Sequence, residues 1–199
     1  MVQRTVRLIQ IVPYDTHWPD EFREIGADLR RALGSRALRI DHIGSTAVPG
    51  LPAKDLIDVQ VTVASLQPEE PLVAAFAAAE YGWRSDIRGD HIPPDAADTS
   101  PRTWVKLYFQ PGPERRNVHV HVRAAGNPNQ RYPLLFRDYL RAHPVAAALY
   151  AETKRQLSAH YPDDWDLYYD VKDPVCDLIM IAAEWWAAAT GWEPGPSDA

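Results

Sequence analysis

Residues 41–63, DHIGSTAVPGLPAKDLIDVQVTV, carry the pattern from which the fold is read. A strand-like run from Leu38 to Ile43, with Leu38, Ile40 and Ile43 apolar, passes into Gly44-Ser45-Thr46. The chain then crosses a loop broken by Pro49, Gly50 and Pro52, and re-emerges as an apolar strand carrying Asp58. Two strands joined by a small-residue turn, with a carboxylate returning on the second, can hold a phosphate against a metal ion. The turn supplies backbone N–H groups that glycine lets a ligand approach closely. The carboxylate supplies a hard oxygen ligand for Mg²⁺.

On the N-terminal side, residues 5–12 (TVRLIQIV) predict a short strand or extended arm ending at Pro13. A helix start follows, with Thr16 or Asp20 as cap and Pro19 in the first turn. Phe22, Ile25, Leu29, Ala32 and Leu33 recur at helical spacing, and Gly34 closes the helix. Residues 37–43 and 56–63 predict strands, the second rich in β-branched residues. Pro68-Glu69-Glu70 opens a helix that ends before Gly82, and a strand is expected around Trp83 to Ile87. Residues 89–102 hold three prolines and few apolar groups, so they form a loop whose length makes it a lid candidate. Thr103–Gln110 and Asn117–Arg123 predict a hairpin across PGPERR. Beyond Asn127 the pattern is helical: Asn129 to Ala142, then 144–160, then Tyr168 to Thr190, with the tail WEPGPSDA expected to be loose. The fold class is therefore α+β, one domain over 1–199 with a sheet core in 1–125 and a helical part in 126–190.

The chain has 199 residues, 46% apolar and 24% charged, which suits a water-soluble globular domain with a sizeable core. No run of 18 apolar residues appears, so no membrane partner is expected, and the N-terminus shows no signal peptide. One cysteine, Cys176, excludes an intramolecular disulfide and a cysteine-based zinc site, and a cytoplasmic location is the expectation. The net charge of −6 argues against nucleic acid as a partner. It leaves room for a small anion, because Arg115, Arg116, Arg131, Arg137, Arg141, Lys154 and Arg155 cluster locally. Oligomeric state is left open.

Three groups of residues could carry chemistry. Asp55 and Asp58 lie three apart in an extended segment and point to opposite faces, whereas Asp58 and Gln60 share one. A pair of carboxylates at that spacing would signal a divalent metal; here the pair is a carboxylate and an amide. A structural alternative for Asp58 is a turn cap, or a partner for Lys54 or His42. In Asn117-Val118-His119-Val120-His121-Val122-Arg123, alternation puts both histidines on one face, where they can bind one metal ion with a neighbouring carboxylate. The alternative is a polar sheet face bonded to its neighbours or water. Arg137 and Arg141 share a helical face and suit phosphate, against the alternative of a solvated face paired with Asp138. Trp185, Trp186 and Trp192 read as core or interface anchors. No Gly-x-x-x-x-Gly-Lys-Ser/Thr, Gly-x-Gly-x-x-Gly or Gly-x-Ser-x-Gly motif is present, which removes the commonest ATPase, dinucleotide and serine-hydrolase readings. Ser45 has no evident base, although His42 is close in sequence.

Together these segments resemble the GrpB family (UPF0157-type), itself similar to the nucleotidyltransferase superfamily. The likeness runs through Pro13-Tyr14-Asp15-x-x-Trp18-Pro19, His42 to Leu51, Lys54-x-x-Ile57-Asp58, Phe136 to Arg141 and Tyr150-x-x-x-Lys154. It implies a nucleotidyltransferase-like mixed sheet flanked by helices, with relatives sometimes fused to a dephospho-CoA kinase. Carried over, Gly44 and Ser45 would hold a triphosphate and Asp58 would be the first metal ligand. The second carboxylate of the superfamily pattern falls at Gln60, and none stands on the strand of His119 and His121.

Three functions are expected from this. The first is a nucleotidyltransferase-type enzyme binding a nucleotide or phosphorylated small molecule at Gly44-Ser45-Thr46. It would hold Mg²⁺ on Asp58, use His119 or His121 as ligand or general base, and clamp phosphates with Lys54, Arg137, Arg141 and Lys154. The second is a module that binds a nucleotide or CoA-type ligand without metal chemistry. The third is a different enzyme, in which Asp58, His119 and His121 hold a transition metal or perform acid–base work on a small metabolite.

Overall fold

The structure, a computed structural model, describes residues 8–199. Residues 5–7 of the expected first strand lie outside the described residues. The remainder is not a strand: Val12 alone forms a bridge, exchanging backbone hydrogen bonds with Ala53 at 2.8 and 3.1 Å. Helix α1 spans Trp18–Leu33 and presents Trp18, Phe22, Leu29 and Leu33 to the core. Its N-cap position is held by His17 rather than Thr16 or Asp20. The reason is Asp15, whose carboxylate accepts the His17 N–H at 2.9 Å and turns the chain before the helix begins.

Five strands follow the predicted order: β1 Ala37–Ile43, β2 Ile57–Val63, β3 Tyr81–Trp83, β4 Leu107–Pro111 and β5 Val118–Ala124. Strand β3 sits earlier than Trp83 to Ile87, because the chain turns at 84–87, where the Ile87 N–H reaches the Arg84 carbonyl. The sheet order is β1-β2-β5-β4-β3, with β2 and β5 parallel and the other pairs antiparallel. Helix α2, Glu70–Ala78, carries the chain from β2 towards β3. Helices α3 (Pro128–Ala142), α4 (Pro144–His160) and α5 (Trp165–Thr190) close the fold. Helix α5 starts before Tyr168 because the Asp164 carboxylate caps it, accepting the Leu167 N–H at 2.9 Å.

Alternation sorts the two sheet faces. Ile57, Val59, Val61, Val118, Val120 and Val122 pack with Phe22, Leu29 and Phe76 of α1 and α2 in one apolar core. The opposite face carries Asp58, Gln60, His119, His121 and Arg123. Its cover, α3 to α5, buries a second apolar cluster including Leu135, Leu140, Ala151, Met180 and Ala183. Burying one apolar face of the sheet drives the first layer. The polar second face leaves a cleft against the helices.

The tail is not loose. The Ala199 N–H bonds the Ile40 carbonyl at 3.1 Å, and the Ser197 hydroxyl and Asp198 carboxylate accept the Ile40 and His42 N–H groups at 2.9 Å each. Its docking is explained by the free edge of β1, whose outward N–H groups need acceptors. Among the described residues no helix is long and apolar enough to cross a membrane.

Candidate metal and anion site

Register brings the central residues together. Asp58 pairs with Ile43 of β1 and His119 of β5, and Gln60 pairs with Asp41 and His121. Asp58, His119 and His121 each offer a ligand atom, all within 4.8 Å of one another. Asp58 Oδ1 lies 3.6 Å from His119 Nδ1 and 3.6 Å from His121 Nε2, beyond hydrogen-bond reach of either. Metal–ligand bonds of about 2.0–2.2 Å in tetrahedral geometry separate neighbouring donors by roughly 3.4 Å, so the spacing suits a shared cation. Both imidazoles stand edge-on to the Tyr108 ring, with centroids 5.4 and 5.0 Å away, which fixes their planes.

Burial would raise the Asp58 pKa, but the two imidazoles outweigh it and hold the carboxyl well below its usual range. Burial pushes His121 down to about 4, keeping it in the neutral form that ligates metals. Arg123 approaches His121 Nδ1 at 3.4 Å. Ligation through Nε2 places the ring proton on Nδ1, so binding works against that contact.

The donor set bears on which ion fits. Mg²⁺ demands oxygen ligands, and this site offers one carboxylate and two nitrogens. Gln60 does not add a ligand. It is fully buried, accepting from Arg123 at 2.7 Å and donating to the Gln130 carbonyl at 2.9 Å. Two imidazoles and a carboxylate suit a first-row transition ion such as Zn²⁺, Mn²⁺ or Fe²⁺.

Gly44 leaves β1 at φ +72° directly against Asp58. Ser45, Thr46 and Ala47 then form one 3-10 turn at the mouth of a cleft of about 380 Å³. The cleft is lined by Asp58, His119 and His121 together with Ser45, Lys54 and Lys154. Lys154 Nζ donates to Ser45 Oγ at 2.9 Å and to the Pro52 carbonyl at 2.7 Å. Lys54 donates to the Tyr169 hydroxyl at 3.2 Å, between the Trp165, Tyr168 and Tyr169 rings. The Thr46 hydroxyl is engaged with His42 Nε2 at 3.0 Å.

Arg137 and Arg141 do not reach the cleft. Arg137 is buried and donates to the His42 carbonyl at 2.9 Å and to Asp198 at 2.7 Å. Arg141 grips the Ala47 carbonyl with two N–H groups at 3.0 and 2.8 Å. Both brace the Gly44–Ala47 turn from behind, where backbone carbonyls and the Asp138 and Asp198 carboxylates, rather than phosphate, take up their donors.

Other cleft residues are not singled out by the sequence. Asp90, at the start of the 89–102 loop, receives Arg123 Nε at 2.8 Å, Lys106 Nζ at 2.6 Å and Asn129 Nδ2 at 3.0 Å. This pins one end of the loop to the sheet. Nothing in the sequence marks a lone loop aspartate, although Lys106 and Tyr108 alternate on their strand in a way that places both on the cleft side. Lys172 and Cys176, four apart on α5, line the opposite wall. Burial raises the Cys176 thiol pKa above its ordinary value.

A family model described as GrpB protein matches residues 8–181. A Mycolicibacterium paratuberculosis protein named dephospho-CoA kinase is 40% identical over 197 residues, covering 94% of this chain and 48% of its own length. Bacillus subtilis YqkA, a UPF0157 protein, is 34% identical over 195 residues, covering 97% of this chain and 50% of its own. The chain thus spans about half the length of these curated relatives. The crystal structure of a conserved protein GrpB from Enterococcus faecalis superposes with a TM-score of 0.73 at 30% identity, covering 89% of this chain and 99% of that one.

Proposed function

The chain belongs to the GrpB family, and from that premise we propose that it binds one transition metal ion on Asp58, His119 and His121. Beside that ion it takes the phosphate of a nucleotide or other phosphorylated small molecule and acts as a nucleotidyl- or phosphoryl-transfer enzyme. The observation that carries this reading is the convergence of one carboxylate and two imidazoles within 4.8 Å, at the floor of a cleft that also holds Lys54 and Lys154. The bound ion would supply charge stabilisation at a phosphoryl oxygen. The chain's own residues do the rest. The Gly44–Ala47 turn, held by Arg141, presents its backbone to the ligand, and the Lys54 ammonium group draws an anion into the cleft beside Lys154.

The dephospho-CoA kinase name of several relatives agrees with a nucleotide or CoA-type ligand. Those proteins are about twice the length of the matched region, and this chain lacks a Gly-x-x-x-x-Gly-Lys-Ser/Thr loop. The kinase activity is therefore not carried over. At about 380 Å³ the cleft lies within the roughly 300–1,000 Å³ of small-molecule pockets, at the small end.

Titration calorimetry with Zn²⁺, Mn²⁺ and Mg²⁺ tests the metal, followed by ATP and CTP added with and without it. The expected result is a single transition-metal site that outcompetes Mg²⁺. Asp58→Ala, His119→Ala and His121→Ala should each weaken it at least about tenfold, comparable to losses at outer-shell partners. Equal binding by all three variants would sink the proposal, as would metal-free protein with unchanged nucleotide affinity.

A further inference from the structure

Lys154 is 2% exposed, and among the described residues no carboxylate forms an ion pair with it. A buried ammonium without a counter-ion is costly, so such a group either loses its proton or waits for an anion. Its partners are neutral oxygens, Ser45 Oγ at 2.9 Å and the Pro52 carbonyl at 2.7 Å. Tyr150, one turn earlier on α4, lies under Nζ with its ring centroid at 4.6 Å. An uncharged amine fits this geometry: one N–H keeps the Pro52 carbonyl, and the lone pair can instead accept the Ser45 O–H across the same 2.9 Å contact.

We propose that Lys154 is the general base of Ser45, and that Ser45 Oγ is the nucleophile of a covalent phosphoryl- or nucleotidyl-transfer step in this cleft. The proposal rests on the reading of the cleft as a phosphoester site, but not on the metal. Ser45 Oγ attacks phosphorus, and the Oγ–P bond forms as the P–O bond to the leaving group breaks. The serine proton passes to Lys154 Nζ, which returns it to the departing oxygen. Water or an acceptor hydroxyl then takes the group from Ser45, giving its proton to the serine oxygen through Lys154. The arrangement is that of a nucleophile and base within hydrogen-bond reach, with the Pro52 carbonyl orienting the base.

The electrostatic surroundings agree. Burial pushes Lys154 down to about 7, opposed by Cys176 and Asp58 and assisted by Lys54 and Lys172. The groups facing it are thus Lys54 from the loop before β2, Asp58 from β2, Lys172 and Cys176 from α5, and Tyr150 from its own helix. Lys172 makes the contrast. Burial works against its charge too, yet Cys176 and the adjacent Asp173 keep its pKa above the ordinary value. Among the described residues Lys154 has no carboxylate ion-paired with it, as Lys172 has in Asp173.

A fluorophosphonate probe reads this directly, because Oγ–P formation expels fluoride and hands the serine proton to Lys154 without needing the natural substrate. Intact-mass and peptide analysis of the whole chain should find one adduct, on Ser45. Its rate should rise through about pH 7 in the unmodified protein. Ser45→Ala should abolish labelling, and Lys154→Met and Lys154→Arg should each slow it at least about 100-fold. The arginine variant keeps a cation in place should the methionine variant fail to fold. Absence of an adduct, an adduct elsewhere, or labelling of both lysine variants at the original rate would overturn the proposal. If no adduct forms while Lys154→Arg or Lys154→Met weakens nucleotide affinity, Lys154 is the counter-ion of a bound phosphate. The dyad then falls and the cleft reading stands.

Discussion

The Asp58 side chain occupies the space in which a Cβ on Gly44 would lie. A methyl group built there meets Asp58 Cβ at 2.9 Å and Cγ at 3.0 Å, with Oδ2 closer still. Gly44 also has φ +72°, a conformation open to glycine at little cost. Gly44→Ala therefore carries two penalties, backbone strain of about 1–3 kcal/mol and displacement of the Asp58 carboxylate. Gly34→Ala separates them, because Gly34 has φ +56° with nothing within 4 Å of its added Cβ. Both variants should melt lower, and only Gly44→Ala should lose cation affinity. Matching calorimetric isotherms for the two variants would contradict this.

Asp90 is the hub of the polar sheet face. Burial alone would raise its pKa, but Arg123 and Lys106 outweigh it and hold the carboxyl well below its usual range. Its contribution is complete above the unfolded value of about 3.9 and disappears only as pH falls further, through the depressed folded pKa. Asp90→Asn leaves two buried cations short of their carboxylate, at a cost of about 3–5 kcal/mol. Urea unfolding at pH 7 should show that loss, and a change under 1 kcal/mol would mean the cluster is solvated.

His42 should make the fold acid-sensitive at milder pH. It is 4% exposed, stacked on Phe22 at 4.7 Å, and burial pushes its pKa down to about 4. Between about pH 6.5 and 4 the unfolded chain binds a proton that the folded chain refuses, so stability falls as pH falls. The full effect is roughly 3 kcal/mol. In His42→Gln the difference between melting temperatures at pH 7 and pH 4.5 should shrink. An unchanged difference would assign acid sensitivity elsewhere.

Gln60→Asp tests whether the superfamily's second carboxylate can be restored. The side chain is held by Arg123 and the Gln130 carbonyl, so a carboxylate would pair with Arg123 instead of facing the cation. Mg²⁺ affinity should stay unchanged. A gain of about tenfold or more, read by calorimetry, would show that Arg123 yields.

The paired strands, the valine–histidine alternation and the Gly44 turn were legible because each follows from a short period or a single backbone need. The alternation alone placed His119 and His121 on one face. What it lacked was the parallel register that sets Asp58 beside His119, since no local pattern encodes which strands are neighbours. Arg137 and Arg141 show the opposite limit. Helical spacing put them on one face, but their carbonyl and Asp198 partners come from β1, the following turn and the tail, far away in sequence. Ser45 lacked a base for the same reason, because Lys154 lies 109 residues later.

The tail was the largest misreading, and it gives the last prediction. Its composition of proline, glycine and acidic residues matches disorder. Docked on β1, those properties serve as an edge cover. Arg39 donates to the Gly195 carbonyl at 2.7 Å, and the Ser197 hydroxyl and Asp198 carboxylate take two β1 N–H groups. Asp198 also neutralises Arg137, which is 3% exposed. Removing residues 195–199 should therefore cost at least about 2 kcal/mol, or roughly 4–8 °C in melting temperature for a chain of this size. It should also leave the β1 edge free to pair with another copy. Ser197→Ala with Asp198→Ala should reproduce most of the thermal loss while the backbone of the tail still shields the edge. Calorimetry and sedimentation together decide it: a truncated protein that melts like the full chain and stays at one mass would show that the tail covers nothing of consequence.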